Sequence, residues 1–176
     1  MTTASIEQLR AGIRSIPDFP RPGILFRDIT PVLSDPVLFR LAIAKFVEEC
    51  AGKNIQKIAG VDARGFIFGG AIAHELNVGF IPIRKRGKLP FETIVSSYDL
   101  EYGTAEIEIH SDAIKPGERV TLIDDLLATG GTAGAAIKLL NQLKAEVVQV
   151  QFLVELEDLH GRDVLAPVPV LSILKY

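Results

Sequence analysis

Residues 120–132, which read Val-Thr-Leu-Ile-Asp-Asp-Leu-Leu-Ala-Thr-Gly-Gly-Thr, constrain the fold of this chain more than any other segment. The first four residues are apolar apart from one threonine, as in a strand buried on both faces of a parallel sheet. Asp124 and Asp125 end that strand, and a short glycine-containing loop leads into a helical pattern over 133–144. Open α/β sheets bind ligands beyond the carboxyl ends of their strands, so this segment predicts a ligand site.

The loop after the two acids is suited to an anion. It consists of Ala128, Thr129, Gly130, Gly131 and Thr132. Its glycines let an anion approach the backbone, its threonines add hydroxyl donors, and the following helix N-terminus carries partial positive charge. A phosphate monoester fits there. Adjacent strand residues point to opposite faces, so a regular strand would not turn both acids toward one partner. A hydroxyl-rich ligand across the strand tip, or a hydrated metal ion, could still use both.

Strand and helix patterns alternate along the rest of the chain. Strands are predicted at 55–61, 80–84, 119–124, 147–156 and 168–174, and helices at 65–76 and 133–144. This alternation favours a parallel sheet wound right-handedly between helices. Residues 93–98 and 104–110 alternate in polarity and predict an antiparallel pair, a flap. Residues 3–14 predict a short amphipathic helix, and the proline-rich residues 16–31 predict an irregular segment.

Composition limits the class of protein. The chain has 176 residues, enough for one domain with a full core, and its formal net charge of −3 argues against nucleic-acid binding. Its single cysteine, Cys50, excludes an internal disulfide and lies at helical spacing from Phe46 and Ile43, which favours a core role. No secretory signal and no apolar run of about 20 residues is present. We therefore expect a cytoplasmic protein that binds no membrane.

The Asp-Asp-x-x-Ala-Thr-Gly-Gly-Thr run resembles the motif with which type I phosphoribosyltransferases bind 5-phosphoribosyl 1-diphosphate (PRPP). Further motifs of the adenine-specific members follow in the same order over essentially the whole chain, at 18–29, 62–66, 84–90, 97–103 and 154–156. The resemblance implies a single α/β domain over 1–176. A central parallel sheet would be flanked by helices, with a hood from about 1–34 and a catalytic flap at about 85–110.

The resemblance also implies a reaction. Adenine would attack C1′ of PRPP with inversion, through an oxocarbenium-like transition state, giving AMP and diphosphate in purine salvage. Asp124 and Asp125 would bind the ribose hydroxyls, and residues 128–132 the 5′-phosphate. The diphosphate would be bound by Ala63, Arg64, Arg84, Lys85 and Tyr102. Mg²⁺ would be held mainly through PRPP and not by a certain protein ligand set, and the chain would pair as a homodimer.

The base would be recognised largely by backbone groups. The resemblance stacks adenine on Phe26, reads it with the main chain of Leu25 and Arg27, and closes the other face with Leu156. Glu101 in the flap would handle the proton on adenine N7. In the 6-oxopurine-specific members an Asp stands where this chain has Ala128, which cannot titrate, so the resemblance leaves Glu101 as the catalytic group near the base. Arg64, Asp124 and Asp125 complete the expected catalytic set.

Each of these motifs also has a plain structural interpretation. Gly60–Gly65 has the outer spacing of a phosphate-binding Walker loop, but Phe66 and Ile67 follow where Lys and Ser or Thr are needed. It could be a simple turn in which Asp62 caps a helix; by resemblance it holds a cis Asp62–Ala63 bond. The basic run 84–88 could be a solvated loop, and the roles of Arg86 and Lys88 stay open. Residues 100–103 could be an ordinary hairpin turn, and Phe26 a core side chain.

Two other functions are weighed against this one. The first is the same reaction with another base, such as xanthine, hypoxanthine or orotate; Ala128 and the Phe26 and Glu101 segments argue against it by resemblance. The second is a regulator that binds PRPP without turnover. Such proteins carry an added DNA-binding domain, for which this chain has no spare length, no basic recognition helix and the wrong net charge.

Overall fold

The computed structural model describes residues 3–100 and 103–176, and internal packing divides the chain into two compact units, Met1–Glu49 and Cys50–Tyr176. Each unit is built around its own buried residues. The division into a hood, a flap and one domain stays a prediction. Within the described residues, no helix is both long and apolar enough to cross a membrane.

The first unit contains three helices and a small hairpin. Its elements are α1 (Thr3–Gly12), β1 (Arg14–Pro17), β2 (Leu25–Asp28), α2 (Thr30–Ser34) and α3 (Pro36–Glu48). The carboxylate of Asp35 accepts hydrogen bonds from the backbone N–H groups of Val37 and Leu38, so it caps α3 with Pro36 in the first helical turn.

The prediction of an irregular segment over 16–31 holds for residues 18–24 and was wrong on either side of them, where the structure has β1, β2 and the start of α2. β1 and β2 pair antiparallel, with Arg14 opposite Asp28 and Pro17 opposite Leu25. Two four-residue strands are too short to show a period in the sequence. Side-chain partners across the hairpin hold them together: Arg14 Nε lies 3.0 Å from Asp28 Oδ2, and Arg27 Nη1 donates to Ser15 Oγ at 2.6 Å.

The second unit is a seven-stranded sheet with helices. In chain order its elements are β3 (Lys57–Val61), α4 (Arg64–Leu76), β4 (Gly79–Lys85), β5 (Thr93–Leu100), β6 (Gly103–His110), β7 (Arg119–Leu127), α5 (Gly131–Gln142), β8 (Glu146–Glu155), a 3-10 turn (Glu157–Leu159), α6 (Gly161–Val164) and β9 (Val170–Lys175). The strand order is β5-β6-β4-β3-β7-β8-β9. Five neighbouring strands of the sheet, β4, β3, β7, β8 and β9, are parallel. β5 and β6 form the antiparallel pair that the alternation predicted, and β6 joins the sheet antiparallel to β4.

The order of the strands determines where a ligand can enter. From β3 the chain moves to β4 on one side, and from β7 it moves to β8 on the other side. The connections therefore diverge between β3 and β7, which leaves a crevice at their carboxyl ends. β3 also ends earlier in the pairing: its last partner on β7 is Ile123. From Asp124 onward β7 pairs only with β8, so the strand tip is open on one side.

The core of the second unit lies between the sheet and its helices. Ala136, Leu139 and Leu140 of α5 are fully buried and pack in one cluster with Leu122 and Phe152 of the sheet. Cys50 is buried beyond the end of α3, where the side-chain amides of Gln149 and Gln151 donate to its Sγ at 3.6 and 3.4 Å. This burial confirms the predicted core role of Cys50, and it raises the pKa of the thiol, which disfavours the thiolate.

Candidate active site

A cavity of about 460 Å³ opens at the carboxyl ends of β3 and β7. It is lined by Val61, Asp62, Ala63, Arg64, Tyr98, Asp124, Asp125, Leu126, Ala128 and Thr132. Two segments singled out in the sequence, 62–65 and 124–132, thus meet at the crevice that the strand order creates. A volume in this range is typical of small-molecule sites.

Both acids of the strand tip line this cavity, although adjacent strand residues ordinarily point apart. The opening left where β3 stops pairing gives room for both. Asp125 is only 5% exposed, and its backbone N–H donates to Asp124 Oδ1 at 2.9 Å. Burial, followed by the charge of Asp125, raises the pKa of Asp124 well above its usual range. The two carboxyl groups therefore resist carrying both negative charges at once, and a nearby cation would relieve that repulsion.

The 62–65 loop approaches this pair closely. A side chain at Gly65 would lie 2.8 Å from the Ile123 carbonyl oxygen and 3.0 Å from Asp124 Oδ1, so only glycine allows the loop to pack so near. The Asp62–Ala63 peptide is cis, as predicted. Arg64 Nε lies 2.7 Å from Asp125 Oδ2, an ion pair that links the predicted diphosphate loop to the predicted ribose acids.

Asp62 does not cap α4. The helix begins after Ala63 with no side-chain cap, and the Asp62 carboxylate instead accepts a hydrogen bond from Arg84 Nε at 3.0 Å. Arg84 also donates from Nη1 to the carbonyl oxygen of Lys88 at 3.1 Å. It therefore ties the 62–65 loop to the basic loop after β4. The structure places Arg84 beside the cavity as a connecting residue.

Lys85 is placed differently from Arg84. It is the last residue of β4, is exposed, and is not among the residues that line the cavity. Neighbouring residues of a strand point in opposite directions, so Lys85 is not expected to share the direction of Arg84. Its predicted contact with a diphosphate stays a prediction.

The 128–132 loop encloses a second, smaller space. A cavity of about 80 Å³ is lined by the whole loop together with Asp124, Leu126, Leu127, Ala133 and Phe152, and it shares Asp124, Leu126, Ala128 and Thr132 with the larger one. The smaller volume suits a small anion such as a phosphate group. Gly130, with φ of 83°, turns the loop into α5. The five predicted phosphate-binding residues are thus together at a helix N-terminus.

The residues expected to contact the base are distributed over both units. Phe26 is half-buried in β2 and packs edge-to-face against Phe19, which is 51% exposed, so it is not part of a buried core. Leu25 is 48% exposed beside it, and Arg27 follows. Leu156 lies in the second unit, directly after β8. Glu101 and Tyr102 lie outside the described residues, so their predicted roles stay predictions.

Some residues at the site were missed in the sequence. Tyr98 lines the cavity; the alternation of Ile94, Ser96 and Tyr98 along β5 was the signal that could have located it. Glu108 is 3% exposed and accepts hydrogen bonds from the backbone N–H groups of Lys88 and Leu89, at 2.8 Å each. Gly161 packs against the backbone of residues 128–130, and no pattern in the sequence around Gly161 predicts that contact.

Several known proteins are similar to this chain in sequence and in structure. Residues 38–166 match the phosphoribosyl transferase domain family. The adenine phosphoribosyltransferase of Neorhizobium galegae is 58% identical over 165 residues, which cover 94% of this chain and 91% of that protein. The crystal structure of the enzyme of the same name from Rhodothermus marinus has a TM-score of 0.94 and 52% identity, covering 99% of this chain and 100% of that one. The Saccharomyces cerevisiae adenine phosphoribosyltransferase, solved with an iminoaltritol bisphosphate and adenine, has a TM-score of 0.93 and 39% identity, covering 98% of this chain and 99% of that one.

Proposed function

The chain belongs to the adenine phosphoribosyltransferases of the type I phosphoribosyltransferase family, and from that premise we propose how its residues carry out the reaction. It is a pentosyltransferase that transfers the phosphoribosyl group of PRPP to adenine, forming AMP and diphosphate. The observation that carries the assignment of residues is the cavity of about 460 Å³ at the β3–β7 crevice, with the smaller cavity beside it. Acids, an arginine loop and a phosphate-sized loop all line it or adjoin it.

PRPP would lie across the tip of β7. The 5′-phosphate occupies the 128–132 loop, whose backbone N–H groups and threonine hydroxyls donate to it. Asp124 and Asp125 accept from the ribose hydroxyls. As the bond to diphosphate lengthens, the ribose ring gains positive charge, and negative charge on this pair of acids stabilises it electrostatically. Adenine then attacks C1′ from the face opposite the diphosphate, which inverts that carbon.

The leaving diphosphate would be bound by the loop from Ala63 to Arg64, with Arg84 and Lys85 adding positive charge. The Arg64–Asp125 ion pair of 2.7 Å must then be exchanged, because Arg64 turns from the carboxylate to the diphosphate. The residues of the site fit Mg²⁺ held mainly through PRPP. Mg²⁺ prefers oxygen ligands, and Asp124 and Asp125 offer carboxyl oxygens in the cavity beside the substrate. Bound Mg²⁺ would supply neutralisation of diphosphate charge.

The base would stack on Phe26 and be closed in by Leu156, with the main chain of Leu25 and Arg27 reading its edge. Glu101 would serve the proton on N7 when the flap closes, and Tyr102 would come with it.

We further propose that the enzyme works as a homodimer in the cytoplasm. Sedimentation should then give twice the 19.1 kDa chain mass.

The test is AMP formation from PRPP and Mg²⁺, with adenine, hypoxanthine, guanine and xanthine run in parallel. We expect turnover with adenine alone. Turnover with another base would keep the PRPP site and reject the base pocket proposed here. Saturable PRPP binding without turnover on any base would favour a regulator instead.

A further inference from the structure

The loop that would hold the 5′-phosphate is in contact with a segment far along the chain. Gly161, the first residue of α6, packs so closely on it that an added side chain would overlap the Ala128 carbonyl oxygen and lie 2.9 Å from the Gly130 backbone nitrogen. The contact is mutual, because a side chain at Gly130 would overlap the Gly161 carbonyl oxygen. Two backbones therefore meet without any side chain between them.

The segment that carries Gly161 is anchored by the next residue, Arg162. Glu155, the last residue of β8, is 4% exposed and accepts two hydrogen bonds from Arg162, from Nε at 3.0 Å and from Nη2 at 2.6 Å. Arg162 Nη1 also donates to the Val170 carbonyl oxygen at 2.6 Å. A two-point arginine–carboxylate pair fixes orientation as well as distance, so residue 161 has little freedom to move away.

The same segment begins beside the loop. The backbone N–H of Leu156 donates to the Leu127 carbonyl oxygen at 2.9 Å, immediately before Ala128. Residues 156–162, which we call the brace, thus contact the last residue of β7 through Leu156 and the 128–132 loop through Gly161. Leu156 is also the residue expected to close the adenine pocket. The base and the 5′-phosphate would therefore be held by two sides of one short, anchored segment.

We propose that the brace, through Gly161 and the Glu155–Arg162 pair, is a positioning element that fixes the 128–132 loop in its phosphate-binding conformation. The inference rests on the proposed function of that loop. The N–H groups of the loop are effective only where they converge on the anion. Moving the Ala128 carbonyl and the Gly130 N–H would separate those donors without removing any group that touches substrate.

The test is Gly161→Ala, with Gly134→Ala as the matched control. Gly134 faces the same α6 region, but its added methyl would meet Val164 Cγ1 at 3.4 Å, an ordinary contact. Titration with ribose 5-phosphate probes the 128–132 loop, and titration with Mg²⁺-diphosphate probes the 62–65 loop. We expect Gly161→Ala to raise the Kd for ribose 5-phosphate by about ten- to hundredfold, as when one or two hydrogen bonds to a charged group are lost. Its Kd for diphosphate, and both constants of Gly134→Ala, should change by less than about twofold.

A second variant covers the case in which Gly161→Ala does not fold. Arg162→Lys keeps the charge beside Glu155 but loses the two-point geometry, and we expect it to weaken ribose 5-phosphate binding by about threefold while leaving diphosphate binding unchanged. Equal weakening of both ligands would indicate a general structural role and overturn the proposal, as would unchanged ribose 5-phosphate binding in these variants. If the wild-type chain itself failed to bind ribose 5-phosphate, the proposed function of the loop would fail instead.

Discussion

Asp124 and Asp125 are adjacent residues near the end of β7, and both line the same cavity. Side by side and largely shielded from water, they repel each other, and the pKa of Asp124 is raised in consequence. Arg64 offsets part of this charge from the opposite loop, at 2.7 Å from Asp125. Such an arrangement is costly to the folded state and useful in a reaction that develops positive charge.

Asp125→Asn should separate activity from stability. It removes negative charge from beside the ribose ring, and we expect kcat for AMP formation to fall about 10²–10³-fold. Relief of the repulsion with Asp124 should leave the Tm unchanged or slightly raised. Asp112→Asn, an exposed carboxylate in a turn, is the control and should alter neither. Near-normal turnover of Asp125→Asn would remove Asp125 from the catalytic set.

A second carboxylate predicts how stability depends on pH. The backbone N–H of Thr30, and then the guanidinium of Arg14, lower the pKa of Asp28 from 3.8 to about 2. A lowered pKa stabilises the folded state above pH 3.8, and this contribution is lost as the pH falls through about 2. Because Arg14 is 60% exposed, we expect about 1–2 kcal/mol at most.

Urea unfolding of the wild type and of Asp28→Asn between pH 6 and pH 2.5 measures this contribution. The difference in unfolding free energy should be largest at pH 6 and should shrink below about pH 4. A difference that stayed constant over this range would show that Asp28 does not titrate in this way.

At the scale of elements, the basic loop between β4 and β5 is held by a buried side chain of β6. Glu108 lies opposite Arg84 in one neighbouring strand and Val95 in the other, and it accepts from the N–H groups of Lys88 and Leu89. Although burial acts to raise it, the pKa of Glu108 is lowered by hydrogen bonds from the backbone of residues 89, 87 and 88. The carboxylate thus replaces the strand partners that the loop lacks.

Glu108→Ala should therefore loosen this loop. Two backbone N–H groups would lose a charged acceptor, and we expect a loss of about 2–4 kcal/mol in unfolding free energy. Hydrogen exchange at the amides of Lys88 and Leu89 should accelerate. Glu106→Ala is the control on the same strand: its pair with Arg86 is exposed, and its loss should lower the unfolding free energy far less than Glu108→Ala does. Equal losses in the two variants would refute this role of Glu108.

At the scale of the whole molecule, the chain diverges between β3 and β7, so one ligand bound in the crevice would contact two segments that are far apart in the sequence. PRPP would join residues 62–65 to residues 124–132, so its binding should stabilise the folded state as a whole. The two ends of PRPP differ in what they need: the 5′-phosphate uses backbone donors, whereas the diphosphate relies on cations.

Thermal unfolding should report this difference. PRPP with Mg²⁺ at about 100 times its Kd should raise the unfolding free energy by about 2.7 kcal/mol. EDTA should abolish most of this gain, while the gain from ribose 5-phosphate should persist. If EDTA had no effect on the PRPP gain, Mg²⁺ would not take part in binding.

Much of the fold could be predicted because its signals are local. Apolar runs and helical spacing located β3, α4, β7 and α5, and alternation located the β5–β6 pair. The acids at 124–125 and the glycine loop at 128–132 predicted a site, because ligands bind beyond the carboxyl ends of parallel strands and anions bind at helix N-termini. Side-chain contacts between separate loops, such as Arg84 with Asp62, were beyond this reasoning.

The sequence by itself determined the class of the fold, the two loops of the site and the family to which the chain belongs. Only the tertiary structure decided that both acids reach one cavity, that Arg84 connects two loops, and that Gly161 lies against the 128–130 backbone. The physical reason is range. Periodicity and turn chemistry act over a few neighbouring residues, whereas these contacts join positions that only the order and length of the strands bring together.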